Sequence, residues 1–181
     1  MANPNTIGTN ISENSKKDKT ISKPKVSITH KKEIKSNTKS SIINLKNHKG
    51  NWKPMDLVWE ESSGAVSPEY RFAKLFHLQT DSKKIFLSRK IVKNGKLELD
   101  ETKEISSNVY HKWMNDLFKK GIHQLASEKI PEEQITGISY NFVSFRFGST
   151  KSKFYYRLDD KIQPDWKQKR EIVNYIERMK P

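Results

Sequence analysis

Apolar and polar positions alternate with a period of two over most of residues 57–104, then recur at helical spacing, and the same change of period happens once more before the C-terminus. Leu57 to Glu60 reads as a short strand that ends at the turn-rich Ser62-Ser63-Gly64, and Ser67-Pro68 opens the next one. From Tyr70 onward, Tyr70, Phe72, Phe76 and Leu78 share one face, with Arg71, Leu75, His77 and Gln79 on the other. Asp81-Ser82 marks a turn before a strand from Ile85 to Val92. Asn94-Gly95 is the strongest hairpin signal in the chain, because a type I′ turn needs positive φ at both central residues. It predicts cross-strand pairs Lys93–Lys96, Val92–Leu97 and Arg89–Asp100.

A helix follows, capped by Ser106, Ser107 or Asn108, with Val109, Tyr110, Trp113, Met114, Leu117 and Phe118 at helical spacing. Lys119-Lys120 complements its C-terminal dipole and Gly121 suits the C′ position. A loop or short helical turn leads to Pro131, then strands are predicted over 138–147 and 152–158 around Gly148-Ser149-Thr150-Lys151. The last helix is expected from Pro164-Asp165, with Trp166, Ile172, Val173, Ile176 and Met179 on one stripe. The sum is an α+β fold: an antiparallel sheet built from a β-meander, a helix, a β-hairpin and a C-terminal helix.

Composition divides the chain near Gly50. Residues 1–50 hold no Phe, Tyr or Trp, and 11 lysines against three acids. Low hydrophobicity with net positive charge cannot offset chain entropy, so 1–50 is expected to be a disordered basic arm and 51–181 a single α+β domain. Within the arm, Ile42, Ile43 and Leu45 are apolar enough for a short docking turn.

The 181 residues carry 35 Lys+Arg against 21 Asp+Glu, a net charge of +14. A field of that sign attracts acidic protein, nucleic acid or anionic lipid. Only 6 of the cations are arginine, which suits diffuse attraction better than bidentate reading of bases. The absence of cysteine removes disulfides, thiolate metal sites and cysteine nucleophiles. No signal peptide or apolar run of roughly 18 residues is seen, so no membrane span and a cytoplasmic setting are expected. Neither charge nor pattern sets an oligomeric state.

Motifs with a chemical mechanism are absent: there is no Gly-rich phosphate loop, no G-x-S-x-G elbow and no H-E-x-x-H. His77, His111 and His123 have no ligand spacing. Glu60-Glu61 and Asp159-Asp160 are adjacent pairs, so in a strand their carboxylates point to opposite faces rather than at one reacting atom. No catalytic, cofactor-binding or metal-ligating residues are expected, and the protein reads as no enzyme. The loop from Ser62 to Pro68 reads as a plain connection, with an exposed binding loop as the less favoured reading.

One constellation rises above background. With Phe147 opposite Ser152 across a four-residue loop, Phe145 faces Phe154 and Val143 faces Tyr156; Val143, Phe145, Phe147, Phe154, Tyr156 and Leu158 then form a core face. A two-residue turn keeps the same faces. The opposite face interleaves rings and cations: Tyr140, Phe142, Arg146, Lys153, Tyr155 and Arg157. It suits single-stranded nucleic acid through stacking and phosphate contacts. The plainer reading is a sheet surface whose Tyr140 and Phe142 a helix covers. In the arm, the clusters at Lys16-Lys17 and Lys31-Lys32 suit sequence-independent attraction to anions, or merely solubilise.

The order of elements, with Ser63-Gly64 closing the first strand and Trp113 and Leu117 on the helix, resembles small secreted protease inhibitors of the emfourin type. That resemblance implies an inhibitor-like domain as a minor alternative. The leading expectation is a non-catalytic interaction domain that binds an acidic macromolecular partner, with a flexible lysine-rich arm. The alternative is a nucleic-acid-binding protein that uses the arm and the hairpin face of residues 140–157.

Overall fold

The computed structural model describes residues 43–131 and 139–181. Its strands are β1 (Met55–Ser62), β2 (Phe72–Thr80), β3 (Ile85–Lys93), β4 (Lys96–Glu104), β5 (Asn141–Phe147) and β6 (Thr150–Tyr156). They form one sheet in the order β4-β3-β2-β1-β5-β6, with every neighbouring pair antiparallel. The helices are α1 (Ser107–Lys119) and α2 (Lys167–Arg178). The meander, helix, hairpin and terminal helix of the expected α+β fold are all present. Since β5 returns to pair with β1, the first strand becomes an interior one, and alternation along it buries Met55, Leu57, Trp59 and Glu61.

Both helices place their apolar stripes on that inner face. Tyr110, Trp113, Met114 and Leu117 of α1 join Ile172, Val173 and Ile176 of α2 in one cluster with the inward residues of β1, β2, β3, β5 and β6. Trp166, in a 3-10 turn before α2, packs its ring against Tyr156 with centroids 4.9 Å apart. Met179 completes the predicted stripe and is buried. The two-layer arrangement leaves the outer sheet face without a helix among the described residues.

The domain starts earlier than the composition break. Leu45 is only 2% exposed and belongs to the core, and Lys46 bridges to Trp52 across a turn at Asn47–Gly50. Three apolar residues in a lysine-rich segment are lost in a fifty-residue average, yet Leu45 reaches the core and its carbonyl accepts the Lys53 N–H at 2.9 Å. Residues 1–42, with Lys16, Lys17, Lys31 and Lys32 and the expectation of disorder, lie outside the described residues.

Two registers differ from the sequence reading. Lys93–Lys96 and Val92–Leu97 pair as predicted, but a bulge between Ile91 and Val92 moves Arg89 opposite Glu101 and Lys90 opposite Asp100. Ile91 faces Leu99 while Val92 faces Leu97, so Glu98 is the extra residue, which counting back from the Asn94-Gly95 turn cannot reveal. Asn94 and Gly95 have φ of 50° and 70°, as the turn requires.

At the second hairpin, Phe147 pairs with Thr150 across a two-residue turn instead of with Ser152. Gly148 takes φ of 59° with open space where a Cβ would stand. A shift of two residues preserves the pleat, so Val143, Phe145, Phe147, Phe154 and Tyr156 are all buried as expected. Leu158 is not: the strand has ended, and it stands 39% exposed at the start of a 3-10 turn over Leu158–Ile162. The earlier strand begins at Asn141, and residues 132–138, including the expected strand start, lie outside the described residues.

Candidate binding face

Alternation sends Phe142, Ser144 and Arg146 of β5 and Lys151, Lys153 and Tyr155 of β6 to the outer face. Cross-strand register then sets three rows. Phe142 stands between Glu60 and Tyr155, Ser144 between Val58 and Lys153, and Arg146 between Asp56 and Lys151.

The aromatic row is compact. The rings of Phe142 and Tyr155 lie 6.1 Å apart at 51°, and Lys153 Nζ sits 4.9 Å from each centroid. The ammonium thus occupies the space over both half-buried rings, and a base would stack there only after Lys153 swings aside. Tyr140 lies just before β5 and is also half-buried. Tyr140 and Phe142 are both half-buried, and residues 132–138, which lead into this face, lie outside the described residues. Arg157 leaves the group: its guanidinium turns to Asp159 and Asp160 at 3.4 and 3.6 Å at the strand's end. Asp160 also accepts the Arg157 backbone N–H at 2.7 Å, so the Asp159-Asp160 pair closes a turn.

The cationic row has a feature the sequence reading missed. Residues 127–128, expected as loop, run beside β6: Ser127 bridges Lys153 in parallel, and the Glu128 N–H donates to the Lys153 carbonyl at 2.8 Å. They shield the β6 edge. They also wall a groove of about 380 Å³ whose lining includes Asp56, Glu128, Ser144, Arg146, Lys151 and Lys153. Its two acids are already engaged. Asp56 Oδ1 lies 2.7 Å from His77 Nε2, and Glu128 accepts from Lys169 Nζ at 2.6 Å and from the Tyr155 N–H at 3.1 Å. Neither Arg146 nor Lys151 forms an ion pair among the described residues, which leaves two cations facing an open groove. In the sequence Lys151 reads as part of the turn, but the two-residue turn places it on β6 opposite Arg146.

Elsewhere, chemistry-bearing side chains serve the fold. Glu60 is exposed and Glu61 is 4% exposed, on opposite faces as adjacent strand residues must be. Glu61 accepts from Tyr156 Oη at 2.8 Å and from Lys161 Nζ at 2.5 Å, while Tyr156 Oη accepts from Trp59 Nε1 at 2.7 Å. Burial, and then the Glu61 charge, hold the Tyr156 hydroxyl well above the ordinary phenol range. Lys74 closes the network between Glu61 and Glu177. Burial pulls its ammonium down, but the bond and charge of Glu177, aided by Glu61, outweigh that and raise it above the usual lysine range. His111 Nδ1 contacts the Ser107 carbonyl within its own helix, and His123 stacks on Phe118. The Ser62–Pro68 connection is tied down, with Ser62 bound to Asn141 and Ser139 and Ser63 bound to Phe72.

Comparison with known proteins gives no match to a family model, to a curated protein or to a solved structure. The emfourin-like order of elements therefore has no family match beside it. No helix among the described residues is long and apolar enough to cross a membrane.

Proposed function

We propose that this protein is a non-catalytic binding domain for an acidic macromolecular partner, docked on the outer face of β5 and β6. The carrying observation is the groove beside β6, where Arg146 and Lys151 form no ion pair among the described residues while its acids bond to His77 and Lys169. The apolar stripes of both helices lie on the other face. Lysine clusters at 16–17 and 31–32 would add long-range attraction without specificity.

A second reading, single-stranded nucleic acid, draws on the Phe142–Tyr155 pair next to those cations. The two are separated by titrating labelled polyglutamate and a labelled oligothymidine at several salt concentrations. An R146E/K151E variant is expected to weaken both ligands and flatten the salt dependence. Tyr155→Ala is expected to cost the oligonucleotide roughly 1–3 kcal/mol if bases stack there, and polyglutamate almost nothing. Binding of both ligands that ignores R146E/K151E would remove the β5–β6 face from the reading.

A further inference from the structure

The helices stop short of one corner of the inner face. There, near the β3–β4 hairpin tip, Tyr70 is 73% exposed and Phe72 and Ile91 are half-buried, whereas Phe76, Leu78 and Leu87 further along the same face are buried. Tyr70, Phe72, Ile91 and Val92 line a groove of about 410 Å³, within the size range of ligand and side-chain pockets, roughly 300–1,000 Å³. Its walls are fixed in advance. The Gly95 N–H donates to the Arg71 carbonyl at 3.1 Å, and the Tyr70 N–H to the Ser67 carbonyl at 3.0 Å. An Arg71 guanidinium N–H is tied to the Val66 carbonyl at 3.1 Å.

The rim is cationic. Arg71 and Lys93 border the groove with one acid, Glu69, while Lys74 is already neutralised by Glu61 and Glu177. Lys93 is paired directly with Lys96, a like-charge cross-strand pair that costs free energy when nothing lies between. A carboxylate placed at the tip would relieve it. A second copy of the chain fits poorly, because a two-fold contact would set the same cationic rim against itself.

We propose that this groove docks a segment of a partner protein in which an aromatic or branched apolar side chain is followed by Asp or Glu. The apolar side chain would fill the space between Tyr70 and Ile91, and the acid would bridge Lys93 and Lys96. This surface lies on the opposite sheet face from Arg146 and Lys151, so it stands or falls separately from the β5–β6 reading.

The test is selection of a displayed random dodecapeptide library on the full chain, followed by titration of the enriched peptides. The expected result is enrichment of apolar–acidic pairs whose affinity drops about ten-fold or more with Tyr70→Ala and with K93E/K96E. Tyr70 is mostly exposed, so its truncation leaves the fold intact, and amide shifts confined to residues 69–74 and 91–96 would place the peptide. Peptides lost with R146E/K151E but not with Tyr70→Ala would overturn this proposal and leave the other face standing. No enrichment would overturn it as well. So would phosphatidylglycerol vesicles that sediment the protein only with Tyr70 intact, or a doubled mass by light scattering that Tyr70→Ala abolishes, because the occupant would then be a membrane or a second copy.

Discussion

Replacing Tyr156 by Phe removes one oxygen from the centre of the buried polar network and nothing from its shape. That oxygen donates to Glu61 at 2.8 Å and accepts the Trp59 indole N–H at 2.7 Å, and Trp59, Glu61 and Tyr156 are 3%, 4% and 1% exposed. Losing a bond to a charged group costs about 1.5–3 kcal/mol, and an orphaned buried donor costs about 1–3 kcal/mol. Lys161 and Lys74 still neutralise Glu61, so the variant escapes the larger penalty of an uncompensated buried charge. The two losses share one atom and do not simply add; a net loss of about 2–4 kcal/mol is expected, or a Tm lower by on the order of 10 °C. Urea unfolding followed by tryptophan fluorescence and by far-ultraviolet circular dichroism measures it. The midpoint should fall with an unchanged slope. Adding Trp59→Phe removes the orphaned donor, so the double variant should lose less than the two single losses together. A loss below about 0.5 kcal/mol for Tyr156→Phe alone, within the noise of surface substitutions, would refute the reasoning.

Two further outcomes follow from the same structure. A chain beginning at residue 51 should melt below one beginning at residue 43, because it lacks Leu45, whose burial contributes roughly 1.5–3 kcal/mol; equal melting curves would show that Leu45 adds nothing. Lys74, Tyr110, Tyr156 and Tyr175 all have raised folded-state pKa values, so their contributions are complete below the unfolded values of 10.0 and 10.5 and are lost as pH rises beyond them. Stability measured by urea midpoint should therefore fall steeply above about pH 10, and less steeply in Tyr156→Phe; a flat profile to pH 12 would contradict this.

Much of the fold was legible because the pleat forgives errors that the register does not. The second hairpin's turn is two residues shorter than the sequence suggests, yet Val143 and Phe145 still point inward, since side chains repeat every two positions. The bulge at Ile91–Val92 leaves no mark in the sequence because a one-residue insertion changes pairing without changing composition. Leu45 and the Ser127–Glu128 segment are hidden for another reason. Each gains its place from partners distant in sequence, the core cluster for Leu45 and Lys153 for the other, and local pattern holds no trace of such contacts. At the binding face, Phe142, Arg146, Lys153 and Tyr155 could be placed by alternation alone. The capture of Arg157 by Asp159 and Asp160 depended on where the strand stopped, which is the weakest inference a sequence allows.

The location of open cations follows from how the sheet treats its edges. At the β4 edge, charges are spent in pairs: Lys90 with Asp100, Lys84 with Glu104, Arg89 and Lys103 with Glu101. Such charged pairs along the edge discourage strand addition. At the β6 edge, backbone does the same work, because residues 127–128 occupy the free side of the strand. With the edge shielded by backbone, Lys151 forms no ion pair among the described residues beside Arg146, while Lys153 lies over the Phe142 and Tyr155 rings. Glu128 adds to the contrast, since it turns to Lys169 and the Tyr155 N–H rather than to the groove cations. One sheet thus carries paired charges along most of β4 at one end and, at the other, Arg146 and Lys151 with no ion pair among the described residues.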